Sequence, residues 1–313
     1  MNALSASLSL SNDLLTGTEW NPSQLHDFFL LTAEIKARPE RYRTALSGKF
    51  VALIFEKPSL RTRVTFEVGA ASLGGTPIFL DHTFTHLGER ESIRDIAKNL
   101  ERWVHAIVAR VFVQESLEEF AKNANIPVIN ALSDKYHPCQ ALADFLTLEE
   151  RFGNLRGFKL AYVGDGNNMC HSLLTMGARV GAQVRVATPA GYEPDAAIVR
   201  EAKRVAGETR GKIDILRAPE DAVAGVQAVY TDVWASMGQE DQSAQRAADF
   251  DGYQVNQALF SQAAPDAVFM HCLPAHRGLE VSEGVIDSPR SIVYDQAENR
   301  LHVQKAVLHS LLT

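Results

Sequence analysis

The sequence has only three cysteines, Cys139, Cys170 and Cys272, and they lie far apart. An odd, scattered set builds no disulfide framework, and without a CxxC pair it offers no zinc motif. A reducing compartment fits this usage. Positive charge is not in excess either. The 31 Lys and Arg against 38 Asp and Glu leave a formal charge of −7, which argues against a broad nucleic-acid surface. No apolar run approaches the ~20 residues of a membrane span. The opening MNALSASLSLSNDLLTGTEW lacks the charged-then-apolar profile of a secretory signal. These absences predict a soluble cytoplasmic protein with no nucleic-acid or membrane partner. Repeats, low-complexity tracts and long linkers are missing as well.

What is present is apolar content. Of 313 residues, 46% are hydrophobic, enough for real cores, and the length suggests about two domains of roughly 150 residues each. Short apolar runs read as strands at Phe50–Phe55, Pro77–Leu80, Ala106–Phe112 and Pro127–Leu132, then at Lys159–Val163, Val184–Ala187, Ile213–Leu216, Ala228–Asp232 and Ala267–Cys272. Helical patterns alternate with them. In Ser92–Val104 the residues Ile93, Ile96, Ala97, Leu100, Trp103 and Val104 mark one apolar face. Continuous apolar strands alternating with helices predict parallel sheets covered on both faces, an α/β class. A long helical pattern from Pro138 to Phe152 ends at Gly153, and a fresh strand–turn–helix starts at KLAYVGDGNNM. The expectation is two Rossmann-like α/β domains joined there, with a final helix over Gln296–Leu312 packing back.

Five stretches stand out chemically. In FEKPSLRTRVTFEVG, residues 55–69, Pro58 ends a strand and Ser59 stands where a helix N-cap would, before a helix Arg61–Leu73 that stops at Gly74–Gly75. A helix N-terminus with unpaired N–H groups suits phosphate, and Arg61 adds a bidentate grip. Alone, the stretch equally describes an ordinary capped helix with solvated arginines. In YHPCQ, Pro138 fits a first helical turn and sets His137 and Gln140 three apart at its start. The pair suits a carbonyl and an amide, or is incidental. VGDGNNM offers Gly164 and Gly166 but has Met169 where a third dinucleotide-type glycine belongs, and the next strand ends in VATPAG without a ribose-binding acid. Asn167 and Asn168 instead set amides at the usual ligand position of an open α/β sheet. TDVWASMG places Asp232 at a strand's carboxyl end, suited to an ammonium group or to capping a surface loop. FMHCLPAHRG delivers His271, Cys272 and Leu273 to a strand end halted by Pro274, with Cys272 either a nucleophile or a small buried residue.

Taken in order, SLRTR, HPCQ, DVWASMG and HCLP resemble the aspartate/ornithine carbamoyltransferase family, and within it the members that use ornithine, over nearly the whole chain. The resemblance implies that Ser59, Leu60, Arg61 and Thr62 cradle the phosphate of carbamoyl phosphate, with Arg110 as a second guanidinium. It implies that His137 and Gln140 bind the carbamoyl group, joined by Arg300 from the last helix, and that Cys272 and Leu273 face both this group and the amine. Asn168, Asp232, Ser236 and Met237 would bind the α-amino and α-carboxylate groups of ornithine. His86 matches a position that family members insert into a neighbouring subunit, which implies a homotrimer with shared active sites. The implied domains are residues 1–137 for carbamoyl phosphate, 138–290 for ornithine, and a C-terminal helix over 291–313 on the first domain.

The implied reaction is attack of the neutral δ-amine of ornithine on carbamoyl phosphate, giving citrulline and phosphate, as in arginine biosynthesis or a catabolic route. Arg61, Arg110 and His137 would stabilise charge. Cys272 would orient the amine rather than react covalently, because carbamoyl phosphate is already activated. Neither metal nor organic cofactor is implied. One position departs from the family pattern Ser-Thr-Arg-Thr-Arg: Leu60 replaces the first threonine, losing one side-chain hydrogen bond worth about 0.5–1.5 kcal/mol net while the backbone N–H survives. Rival readings are a carbamoyltransferase for putrescine, acetylornithine or aspartate, a dinucleotide-dependent dehydrogenase, and a non-catalytic amino-acid-binding protein. The first three leave Asp232, SMG or HCLP without a use, the dehydrogenase lacks its third glycine and ribose acid, and the binding protein has no need of the anion site.

Overall fold

The computed structural model describes residues 12–81, 91–235 and 240–313. By internal contacts the chain divides into two units, Met1–Leu146 with Glu298–Thr313, and Thr147–Ala297. The chain leaves the first unit within the helix Pro138–Phe152 and re-enters it within the helix Val293–Leu312.

The first unit carries four strands, β1 Phe50–Phe55, β2 Thr76–Asp81, β3 Ala106–Arg110 and β4 Val128–Leu132, in the order β2-β1-β3-β4, with every pair parallel. Val51–Phe55 and all of β3 are buried, as strands covered on both faces must be. Ala52, Ile54, Ile107 and Ala109 pack there with Leu100, Leu117 and Phe120 from helices. Each fully buried Val, Leu, Ile or Phe contributes roughly 1.5–3 kcal/mol relative to exposure.

The second unit has five parallel strands, β5 Lys159–Val163, β6 Gln183–Ala187, β7 Lys212–Leu216, β8 Ala228–Thr231 and β9 Val268–His271, in the order β7-β6-β5-β8-β9. Its core joins Ala161, Val163, Val229 and Phe269 to Val223, Phe260 and Val285. Order reverses beside β5, where the chain crosses from β7 to β8 on its other side. Such a switch point is where open α/β sheets bind ligands.

All nine expected strands are found, with shorter ends in places. β3 stops at Arg110 and not at Phe112, because the Phe112 N–H leaves the ladder for the Glu56 carboxylate at 2.8 Å. β8 and β9 stop before Asp232 and Cys272, whose side chains bond to each other instead. The helix expected over Ser92–Val104 is Ile93–Trp103, capped by the Ser92 hydroxyl on the Asp95 N–H. Trp103 does not join its apolar face: it is 66% exposed in the last turn. The helix Leu60–Ser72 ends before Gly74, whose φ is 83° and where a Cβ would stand 2.6 Å from the Arg43 carbonyl oxygen, so only glycine fits. Among the described residues, no helix is long and apolar enough to cross a membrane.

Candidate active site

In the first unit, Ser59 has an extended backbone, and its hydroxyl accepts the Thr62 N–H at 3.3 Å, which makes it the N-cap of Leu60–Ser72. This start fixes Thr62 facing inward, 1% exposed, while Leu60 points out at 77%. The last helix packs on this one at Gly69, where a Cβ would stand in ordinary contact with Lys305 at 3.5 Å. Lys36 ties the same helix down by donating to Asn299 at 2.8 Å. Arg300, 2% exposed, is thereby delivered to the site. It donates from Nη2 to the Thr62 hydroxyl at 2.9 Å and from Nη1 to Gln140 Oε1 at 2.6 Å. With its oxygen engaged, the Gln140 amide nitrogen donates to the buried Asp144 carboxylate at 2.8 Å.

His137 is buried at the end of the loop after β4, before Pro138 starts the helix. The loop is held by Ser133, whose hydroxyl donates to Gln114 Oε1 at 2.6 Å and accepts the Tyr136 N–H at 3.1 Å. Burial, and then the positive charge of Arg300, Arg110 and Arg61, hold the His137 imidazole well below its ordinary pKa. The ring is therefore neutral near pH 7 and can serve as an uncharged donor or acceptor among three guanidinium groups. Arg110 is buried at the end of β3. The structure thus joins Ser59, Thr62, Gln140 and Arg300 by hydrogen bonds, and brings Arg61, Arg110 and Arg300 near enough to His137 to oppose its charge. His86 lies outside the described residues.

In the second unit, three strand ends meet around Asp232. The Asn167 side chain caps the helix Asn168–Val180, its oxygen accepting the Met169 and Cys170 N–H groups, while its nitrogen donates to Asp232 Oδ2 at 2.9 Å. Asp232 Oδ1 accepts the Val233 N–H at 2.8 Å and the Cys272 thiol at 3.0 Å. Asn168 begins the helix, and its carbonyl accepts the Ser172 hydroxyl. Below them, Asp165 and Arg246 form a nearly buried ion pair at 2.8 Å, and the same Arg246 nitrogen donates to the Trp234 carbonyl at 2.7 Å. That pair fixes the stem of the DVWASMG loop. Ser236 and Met237, further along it, lie outside the described residues.

After β9 the chain turns sharply. Leu273 has φ 56°, a left-handed conformation that costs a bulky residue about 1–3 kcal/mol. Its N–H donates to His271 Nδ1 at 2.8 Å. Of the three thiols, burial pushes that of Cys139 up to about 12 and that of Cys170 well above its ordinary value, so both stay protonated. Cys272 alone is partly accessible. Asp232, His271 and Cys272 also hold one potential metal ligand atom each within 4.8 Å of one another. The carboxylate and thiol bond to each other, and the imidazole Nδ1 accepts the Leu273 N–H.

The glycine-rich turn of this unit serves the chain itself. Gly164 has φ 147°, and a Cβ on Gly166 would lie 2.2 Å from the Pro194 nitrogen. The close approach that a dinucleotide pyrophosphate would need is made by the Tyr192–Pro194 backbone, whose Tyr192 carbonyl accepts the Gly166 N–H. Sequence reasoning missed Asp144 and the Ser133–Gln114 bond, which carry no motif. Of the two asparagines expected at the ligand position, Asn167 holds Asp232.

Two family models match, the carbamoyl-P binding domain of aspartate/ornithine carbamoyltransferase over residues 12–150 and its Asp/Orn binding domain over residues 156–311. The chain belongs to the aspartate/ornithine carbamoyltransferase family. Among the relatives of this carbamoyltransferase chain is the ornithine carbamoyltransferase of Anoxybacillus flavithermus, 52% identical over 96% of each chain. That of Thermus thermophilus is 51% identical over 97% of this chain and 98% of its own. The solved ornithine carbamoyltransferase from Pyrococcus furiosus is 48% identical, with a TM-score of 0.94 over 98% of both chains.

Proposed function

We propose that this chain is an ornithine carbamoyltransferase, transferring the carbamoyl group of carbamoyl phosphate to the δ-amine of L-ornithine to give L-citrulline and phosphate. The observation that carries the reading is a neutral, buried His137 among Arg61, Arg110 and Arg300. Three fixed positive charges suit a phosphate dianion, and a neutral ring can hydrogen-bond a carbonyl oxygen without competing for the anion. The choice of ornithine is supported by relatives of that name at 51–52% identity and by Asp232, a carboxylate fit for an α-ammonium group.

In this reading Ser59, Leu60, Arg61, Thr62 and Arg110 take the phosphate, Leu60 through its backbone. His137, Gln140 and Arg300 take the carbamoyl group, with Cys272 and Leu273. Asn168, Asp232, Ser236 and Met237 take the amino-acid end of ornithine. The neutral δ-amine attacks the carbonyl carbon, the tetrahedral oxyanion forms beside His137 and the guanidiniums, and the C–O bond to phosphate breaks. The departing phosphate takes the proton that the nitrogen loses. Residues 1–137 serve carbamoyl phosphate, 138–290 ornithine, and the helix within 291–313 belongs functionally with the first.

The same reading makes the protein a cytoplasmic homotrimer of arginine biosynthesis or a catabolic route, with His86 reaching a neighbouring site. Three free thiols favour a reducing compartment. Leu60, Val64 and Val68, spaced four apart on one helix and all exposed, favour a face covered by another subunit. A citrulline assay with carbamoyl phosphate, comparing ornithine with aspartate, putrescine and acetylornithine, tests the function. Turnover with ornithine is expected, and turnover of another amine without ornithine overturns the substrate.

A further inference from the structure

Leu273 sits where few bulky residues do, at φ 56°, beside the cysteine that the functional reading gives to the amine. Its side chain packs on the core of the second unit, and its N–H is held by a histidine. The Leu273 N–H donates to His271 Nδ1 at 2.8 Å, so that nitrogen must present its lone pair. The proton of the neutral ring is then on Nε2. Nε2 lies 3.4 Å from Oε1 of the Glu280 carboxylate, an electrostatic contact without hydrogen-bond geometry. Both His271 and Glu280 are fully buried. Glu280 is tied in turn to the loop between them, because Oε1 also accepts the His276 N–H and Oε2 stands 3.9 Å from His276 Nδ1. Its own carbonyl accepts the Val255 N–H at 2.9 Å, which anchors it to the unit's core.

A buried carboxylate facing one nitrogen of a histidine selects the tautomer that puts the proton on that side. Here this choice reaches the backbone of the Cys272–Leu273 turn. We infer that Glu280 is a positioning residue for amine transfer: through His271 it holds Leu273, and with it Cys272, in the conformation that presents the turn to ornithine. The inference rests on the proposed roles of Cys272 and Leu273, and adds a residue that touches no substrate.

Glu280→Gln is the sharp test. Glutamine can keep an oxygen for the His276 N–H beside Nε2 but carries no negative charge, so its bias toward the Nε2 proton, and with it the hold on the Leu273 N–H, weakens. The expected result is a 10- to 100-fold fall in kcat/KM for ornithine, with the KM for carbamoyl phosphate and the thermal midpoint little changed. His271→Asn supplies the control, because its side-chain oxygen can accept the Leu273 N–H without reaching Glu280. Adding Glu280→Gln to His271→Asn should then cost less than threefold. Should Glu280→Gln not fold, His271→Asn against His271→Ala carries the test, with the asparagine at least tenfold more active. An unchanged kcat/KM in Glu280→Gln, a full additive loss in the double variant, or equal losses in the asparagine and alanine variants overturns the inference. Wild-type protein that makes no citrulline overturns the functional reading instead, so the two failures are distinct.

Discussion

The anion seat of the first unit is closed by Arg300, which reaches Gln140 and Thr62 across separations of 160 and 238 residues. The carboxylate of the second unit is held by Asn167, Val233 and Cys272, which leave the ends of β5, β8 and β9, neighbours in one sheet. The first arrangement depends on one helix returning to its unit. The second follows from strand order alone. In the proposed division of labour, the part that is general to carbamoyl transfer is assembled from distant pieces and locked. The part that selects the amine sits on strand ends and continues into a loop.

Removing one charge from each unit should break this comparison in different ways. Arg61→Ala takes away a partly buried residue to which the proposed mechanism gives the developing charge, so turnover should fall about 10²–10³-fold, the usual cost of one oxyanion-type donor. Asp232→Asn removes a partner for an ammonium group, a charge-assisted bond worth about 1.5–3 kcal/mol, and should lower kcat/KM for ornithine roughly 10- to 150-fold. Its KM for carbamoyl phosphate should stay as it was. Steady-state citrulline formation with each substrate varied in turn separates the two. Near-normal turnover in Arg61→Ala would remove the basis for the phosphate seat.

A pH series sharpens the comparison from the side of the first unit. The folded-state pKa of His137 is well below the unfolded value near 6.5, because burial and then three arginines oppose its charge. The unfolded chain therefore binds more protons in that window. The stability that comes from neutral His137 is complete above about pH 6.5 and is lost as pH falls from there toward the depressed value. His302 and His309, lowered chiefly by burial in the same unit, add the same slope. Urea unfolding between pH 7.5 and 5.5 should show stability dropping less steeply in His137→Gln than in the parent. An equal slope would mean that His137 titrates alike in the folded and unfolded chain, and that neither burial nor the arginines hold it neutral.

Legibility in the sequence divides along the same line. The strands were readable because buried parallel strands are continuous apolar runs, and KLAYV or FVALIF can be little else. Their ends were less so. Whether Phe112 extends β3 depends on a carboxylate at Glu56, far away in sequence. Trp103 kept the helical period of its neighbours and still turned outward, since period places a side chain on a face but not under a cover. Ser59 as an N-cap was legible from local chemistry. The meeting of Arg300 with Thr62 was not, because no local pattern encodes a contact 238 residues long; only likeness to a family suggested Arg300. Glu280 gave no signal at all, since a lone glutamate reads as surface until its burial is seen.

The smallest effect belongs to Leu60, which by the family resemblance stands where a threonine is expected. Leu60 is the residue after the N-cap and is 77% exposed, so Leu60→Thr removes no core packing. If the first unit holds phosphate by backbone and arginine alone, restoring a hydroxyl adds at most one hydrogen bond, about 0.5–1.5 kcal/mol. The KM for carbamoyl phosphate should then fall about two- to tenfold, with the KM for ornithine unchanged. Leu60 also begins the exposed stripe with Val64 and Val68, which gives the experiment a second readout. A variant whose KM does not move, but whose oligomer dissociates at higher concentration in analytical ultracentrifugation, would assign Leu60 to the subunit face. The lost hydroxyl would then have been exchanged for apolar contact with a neighbour, and the phosphate would rest on the N–H groups that every residue at this position supplies.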